Sequence, residues 1–153
     1  RLDENELAKI RGRKIGFVFQ TFNLYPTLTA IENVQLPMRI HEFPEHDIES
    51  KSIELLRIVG LEDRSQHLPS QLSGGQSQRV AIARALSTNP QMILADEPTG
   101  NIDTKAGDEI LDIFEKLNRN GTTIVVVTHD QAVSRRAKRL IRMRDGKIVD
   151  GEN

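Results

Sequence analysis

The chain has no cysteine among its 153 residues, which excludes disulfides and thiolate metal sites and is compatible with a reducing compartment. Long apolar runs are absent too. The longest, Met92 to Ala95 and Ile124 to Val127, fall far below the roughly 18 residues that a membrane-spanning helix needs. The opening Arg1-Leu2-Asp3-Glu4 lacks the pattern of a signal peptide, so any membrane association is expected to go through a partner. Charge of one sign is also missing: a formal net charge of -1 gives no basic field of the kind that attracts nucleic acid. The local exception, Arg135-Arg136-Ala137-Lys138-Arg139, reads as a solvated helix end with cations near the C-terminal dipole, or else as a binding patch. Internal repeats and disordered tracts are not evident. Finally, no G-x-x-x-x-G-K-[ST] loop, the usual backbone cradle for phosphates, occurs anywhere in the sequence.

What is present has a clear order. Ile15-Gly16-Phe17-Val18-Phe19 is a β-prone run that delivers Gln20 to its tip, followed by a loop around Pro26. Thr29 and Glu32 have capping-box spacing and open a short helix expected to stop before Pro37. From Pro44 onward, Ile48, Leu55, Leu56 and Val59 recur at helical spacing until Gly60. Ser73 and Gln76 repeat the capping-box spacing ahead of a strongly helical stretch through Leu86. Met92 to Ala95 and Thr123 to Val127 read as fully buried strands flanking an amphipathic helix, Thr104 to Asn120, ended by Gly121. Strand, helix, strand predicts a parallel crossover. Asp130 to Ala137 reads as a short helix, and Arg139 to Met143 and Lys147 to Val149 as strands joined at Asp145-Gly146, a strong hairpin signal.

The chemistry begins with Asp96-Glu97, two carboxylates that an apolar strand brings to the carboxyl edge of a sheet, where open α/β sheets bind ligands. There one acid can hold Mg²⁺ on phosphates while the next orients or deprotonates an attacking water. Taken alone, acids after a strand are equally well turn residues. Ser73-Gly74-Gly75-Gln76 adds a second signal, since a helix start concentrates free amides, a hydroxyl and part of the helix dipole at one point. Two glycines leave no side chain in the way of a phosphate, at a position where they weaken the helix. Taken alone, this is a flexible N-cap. His41, His46 and His67 have no metal-site spacing and read as structural.

The string Gln71-Leu72-Ser73-Gly74-Gly75-Gln76 through Gln78-Arg79, then Asp96-Glu97-Pro98-Thr99-Gly100-Asn101-Ile102-Asp103, then His129 after an apolar strand, resembles the ATPase subunit of ATP-binding cassette (ABC) transporters. The resemblance runs from about Lys14 to Gly151 with the motifs in family order. It implies an α/β, P-loop NTPase-like parallel sheet core carrying a helical signature-motif subdomain at about residues 28–88. The core is expected over about 14–20 and 89–153, with the N-terminal part of the full domain, including the phosphate loop, missing from this chain. The 153 residues alone are therefore expected neither to bind ATP tightly nor to hydrolyse it.

By the same resemblance, Gln20 is the glutamine that touches metal and attacking water, Asp96 the magnesium aspartate, Glu97 the catalytic base and His129 the switch histidine. Ser73, Gly74, Gly75 and Gln76 contact the γ-phosphate of ATP held by the opposite subunit, and Asp103 communicates across the dimer. The implied cofactors are ATP and Mg²⁺. The implied partners are a second ATPase subunit and integral membrane permease subunits, without nucleic acid, at the cytoplasmic face of the cell membrane. Phe22-Asn23-Leu24-Tyr25-Pro26, Glu32-Asn33-Val34 and Gly100-Asn101-Ile102-Asp103 are similar to the lipoprotein-release and macrolide-export subgroup, where serine-alanine-leucine is the commoner family wording before the aspartate. Phe22 and Tyr25 read equally well as core residues. Two other classes compete. A chromosome-maintenance or DNA-repair ATPase shares these motifs but interposes coiled coils, for which the short stretch between Gln20 and Ser73 has no heptads. A non-catalytic interaction module is favoured by the missing phosphate loop and disfavoured by intact Glu97 and His129.

Overall fold

The computed structural model describes residues 3–152, so Arg1 and Leu2 of the opening segment, and Asn153, lie outside the described residues. Asp3 and Glu6 form a reciprocal capping box that starts α1, Glu4–Lys14, a helix for which the sequence reading had no expectation. The signal was the D-x-x-E spacing itself. The chain then enters β1, Ile15–Val18.

Both predicted capping boxes also form. Thr29 and Glu32 open α2, Ala30–Ile40, and Ser73 and Gln76 open α4, Gly74–Leu86. The expectation that α2 stops before Pro37 is wrong: the helix continues through it for three more residues. Tertiary contacts outweigh the lost backbone bond, because Met38 beyond the proline is fully buried and Arg39 pairs with Glu45 at 2.7 Å. Between these helices lies α3, Glu45–Ile58. Val34, Leu55, Leu56, Val59, Leu61, Val80 and Ile82 interlock where α2, α3 and α4 meet, and the same cluster continues into Val18, Ile93 and Ala95 of the sheet.

After α4 come β2, Met92–Asp96, α5, Thr104–Arg119, and β3, Thr123–Val127. Helix α5 buries Ile110, Leu111, Phe114 and Leu117, one stripe at helical spacing. Gly60 and Gly121, at φ +70° and +99°, stand just past the ends of α3 and α5 as predicted. Among the described residues β1, β2 and β3 form a parallel sheet in that order, with Val18 opposite Ala95 and Asp96 opposite Val127. The predicted crossover is therefore present, and three neighbouring strands end side by side. A short helix α6, Gln131–Arg135, is capped by Asp130 and leads to the hairpin β4, Leu140–Arg144, and β5, Lys147–Glu152. Asp145 and Gly146 both have positive φ, as a two-residue hairpin turn requires.

The expectation of fully buried strands does not hold. Burial alternates along β2, where Ile93 and Ala95 are buried and Met92 and Leu94 are half-buried, and β3 alternates between half-buried and exposed. One face packs against α4 and α5. The other presents Phe17, Phe19, Val125 and Val127, each about two-fifths exposed or more. A uniformly apolar strand is able to bury both faces, but composition does not say whether both are covered.

The covered face fits tightly at Gly16. A Cβ at that position would lie 2.4 Å from the backbone oxygen of Ala85 in the last turn of α4. Neither strand nor helix backbone can yield locally, so Gly16→Val in the full-length protein is expected to destabilise by about 3 kcal/mol. Calorimetry would then record a melting temperature lower by roughly 6 to 12 °C; a change within about 2 °C would show that α4 moves freely off the strand.

The basic cluster is largely the solvated helix end expected from sequence, with Arg135, Lys138 and Arg139 exposed, and Arg136 is its exception. Arg136 donates through Nε to Glu115 at 2.7 Å, donates also to Asp112, and lies 3.7 Å from Asp108, which ties the end of α6 to one face of α5.

Candidate functional site

The parallel register brings the ends of the strands to one edge. Gln20 lies just past β1, Asp96 ends β2 with Glu97 next to it, and Thr128 and His129 follow β3. Asp96 is exposed and lines an open groove of about 340 Å³ with Phe17, Val18, Phe19, Leu94 and Val127. Glu97 extends the ladder by one bond, its amide donating to the Val127 carbonyl at 2.9 Å. Its φ of +42° then turns the side chain away from the strand direction, a conformation uncommon outside glycine.

Three hydrogen bonds hold that side chain and leave acceptor capacity on Oε2. Oε1 accepts from the His129 backbone amide at 2.8 Å and faces the ring Nδ1 at 2.6 Å, and Oε2 accepts from the Thr128 hydroxyl at 2.9 Å. An imidazole nitrogen at that distance from a carboxylate oxygen carries the proton, which leaves Nε2 pointing outward on a side chain that is 90% exposed. Burial pushes the Glu97 carboxyl up. Hydrogen bonds from the His129 ring, the Thr128 hydroxyl and the His129 amide, with the imidazole charge, more than offset this and hold it below the ordinary carboxylate range.

A folded value below the unfolded one means that the stabilisation from this carboxylate is present above about pH 4.3 and is lost as pH falls through the lowered folded value. In an NMR titration the Glu97 side-chain carboxyl carbon is expected to have its midpoint below about pH 4.3. A midpoint above that value would mean that burial dominates the hydrogen bonds.

Gln20 is half-buried. Its Nε2 donates to Asn101 Oδ1 at 3.5 Å, and Asn101 returns a bond to the Gln20 carbonyl at 3.2 Å. The tip of β1 is thus tied to the turn that follows Glu97 and Pro98. Asp103 closes that turn as the N-cap of α5, accepting from the Ala106 amide at 3.0 Å.

Ser73 and Gln76 form their box at 3.2 and 2.9 Å, leaving the first-turn amides of Gly74 and Gly75 without intrahelical acceptors. The glycines have a packing role that the sequence did not suggest. A Cβ on Gly75 would lie 2.6 Å from Ala106 Cβ, and one on Gly74 would lie 3.2 Å from Ile102. The start of α4 is therefore seated directly on the start of α5. His41, His46 and His67 stay apart from the strand edge: His41 accepts from Arg13 through its backbone, His46 meets Asp47, and His67 meets Arg64.

Sequence reasoning missed four side chains here. Thr128 shares Glu97 with His129, and Asn101 holds Gln20. Gln78, fully buried, donates to the carbonyls of Phe19 and Pro98, and Arg84 donates to those of Phe22 and Asn23. The signal for Gln78 was polarity on the buried face of α4, where it is followed one and two turns later by Ile82 and Ala85.

Comparison with known proteins agrees with this geometry. The family model described as ABC transporter matches residues 1–100. An uncharacterized ABC transporter ATP-binding protein of Thermotoga maritima is 55% identical over 97% of this chain, which spans 63% of that protein's length. The macrolide export ATP-binding/permease protein MacB of Burkholderia cenocepacia is 51% identical over 97% of this chain, which spans 22% of it. A solved dimeric structure of a post-hydrolysis state of the ATP-binding cassette MJ0796 bound to ADP and Pi, a protein of Methanocaldococcus jannaschii, superposes with a TM-score of 0.85. It is 49% identical, and the match covers 99% of this chain and 67% of that one. The α/β arrangement of parallel sheet and helices is that of these cassettes, and the chain belongs to the ABC transporter family.

Proposed function

We propose that this chain is part of an ATP-binding and ATP-hydrolysing subunit that works as a dimer to drive a membrane permease, of the export or lipoprotein-release type. The observation that carries the reading is the edge formed by three parallel strands, where a free Asp96 stands beside a Glu97 that His129 and Thr128 hold in place. The dimeric cassette with ADP and Pi and the permease-fused macrolide exporter support the dimer and the permease.

The donor set fits a magnesium ion carried on phosphates. Among the described residues there is no cluster of three or more acidic or histidine side chains that could enclose a metal. An exposed aspartate and the Gln20 amide oxygen supply two hard oxygen donors, which suits an ion whose remaining ligands are phosphate oxygens and water. When bound, Mg²⁺ neutralises charge developing on the phosphates.

Glu97 is ionised at neutral pH but, held below the ordinary range, is a weak base. Its role is to orient the attacking water and to accept its proton late, with Gln20 holding the other side of that water. His129 presents its outward face to the γ-phosphate and donates once protonated there. Ser73, Gly74, Gly75, Gln76 and Asp103 serve the nucleotide of the partner subunit, the helix start supplying free amides and dipole. A subunit so used sits at the cytoplasmic face of the membrane, and among the described residues no helix is long and apolar enough to cross it.

The test is ATP hydrolysis by the full-length protein. Turnover that requires Mg²⁺ and stops on chelation supports the reading; no turnover, or turnover indifferent to divalent cations, overturns it.

A further inference from the structure

One side chain on α4 spans the gap between the two loops of the strand edge. Gln78 Nε2 donates to the Phe19 carbonyl at 3.1 Å and to the Pro98 carbonyl at 2.7 Å. Phe19 immediately precedes Gln20, and Pro98 immediately follows Glu97. A single buried amide therefore adds, beside the exposed Gln20–Asn101 pair, an interior tie between the backbone that carries one water-facing residue and the backbone that carries the other.

The orientation of that amide is dictated by its partners. Two carbonyl oxygens require a donor, so Nε2 faces them and Oε1 is turned away. Oε1 is buried and has no hydrogen-bond partner among the described residues. An orphaned buried acceptor is destabilising, and methionine or leucine at this fully buried position would avoid it. What the amide supplies in exchange is the pair of donated bonds, each to a residue about 20 or more positions away in sequence.

The same helix grips the loop a second time. Phe22 and Asn23 have φ of +61° and +50°, a region that non-glycine residues occupy at a conformational cost. Arg84 donates Nη2 to the Phe22 carbonyl at 2.8 Å and Nη1 to the Asn23 carbonyl at 2.5 Å. With this loop already pinned beyond Gln20, the Gln78 bridge to Pro98 adds a hydrogen bond to the packing of the α4 start on Ile102 in tying α4 to the turn after Glu97.

We propose that Gln78 is a positioning residue that sets the separation of Gln20 from Glu97, and so the place of the attacking water, without touching nucleotide. Its catalytic consequence rests on the ATPase reading; the spacing of the loops does not. Two measurements on full-length Gln78→Met, which keeps side-chain length and removes both donors, separate these. Without nucleotide, amide exchange over residues 19–23 and 97–102 is expected to quicken about tenfold, with residues 110–117 of α5 unchanged. With ATP, kcat is expected to fall about tenfold while KM changes less than about twofold.

Unchanged loop exchange, or exchange quickened equally throughout, would overturn the proposal, as would a loss confined to KM. Gln78→Leu is the second variant, and failure of both to fold would also overturn it, since the amide would then serve the fold and not the loops. A wild-type protein without ATPase activity, in which the variant still loosens only these loops, would remove the ATPase reading and leave the spacing role standing.

Discussion

Glu97→Gln in the full-length protein is expected to lower ATP turnover by roughly 10²- to 10⁴-fold while leaving ATP affinity within about threefold. The substitution changes charge with little change of shape. A glutamine carbonyl at the Oε1 position still accepts from the His129 amide and ring, and its NH₂ at the Oε2 position can donate to the Thr128 hydroxyl, which accepts as readily as it donates. The turn after β2 is thus retained, and Asp96 is untouched. What disappears is the only one of these oxygens able to take a proton from water. Rapid hydrolysis by this variant, above about a tenth of the wild-type rate, would move the base elsewhere. Binding without hydrolysis also predicts that the variant accumulates as a dimer with ATP held between subunits.

The elements most legible in the sequence were those whose signals are local. Thr29 with Glu32, Ser73 with Gln76, and Asp145-Gly146 each specify a cap or turn within four residues, and all three form. The crossover from β2 through α5 to β3 followed from two apolar runs flanking one amphipathic helix. Asp96, Glu97 and His129 were legible because strand ends and motif order place them at one edge.

Long-range decisions were not legible. Helix α2 runs past Pro37 because Met38 is fully buried and Arg39 pairs with Glu45 at the start of α3, which no local pattern records. The exposed face of β3 depends on what lies against it, not on its composition. Gln78 and Arg84 bond to carbonyls about 60 residues earlier in the chain, and a polar residue on an apolar stripe announces that a partner exists without naming it. Arg136 is the same case with the sign reversed, since one residue of an otherwise solvated basic run is held by three acids of α5. The glycines of the α4 start gained a second reason from the structure: close contact with Ala106 favours glycine at 75 whether or not a phosphate approaches, and Gly74 is more loosely packed against Ile102.

The central claim is that Ser73 to Gln76 and Asp96 with Glu97, though on one chain, act on different nucleotides. Ser73→Asp isolates the first group. Aspartate caps a helix about as well as serine, so α4 is expected to keep its start, but a carboxylate beside the free amides of Gly74 and Gly75 repels a phosphate. Full-length Ser73→Asp and full-length Glu97→Gln are each expected to be nearly inactive as homodimers. In a mixed dimer, the Ser73→Asp chain contributes an intact Glu97 and the Glu97→Gln chain an intact Ser73, which together complete one of two sites.

Mixing the two variants in equal amounts and measuring ATP turnover tests this most directly. If subunits exchange at random, half the dimers are mixed and each has one working site, so turnover is expected to recover to about a quarter of wild type. Turnover no greater than the sum of the two variants measured separately would contradict the account and assign both groups to a single nucleotide.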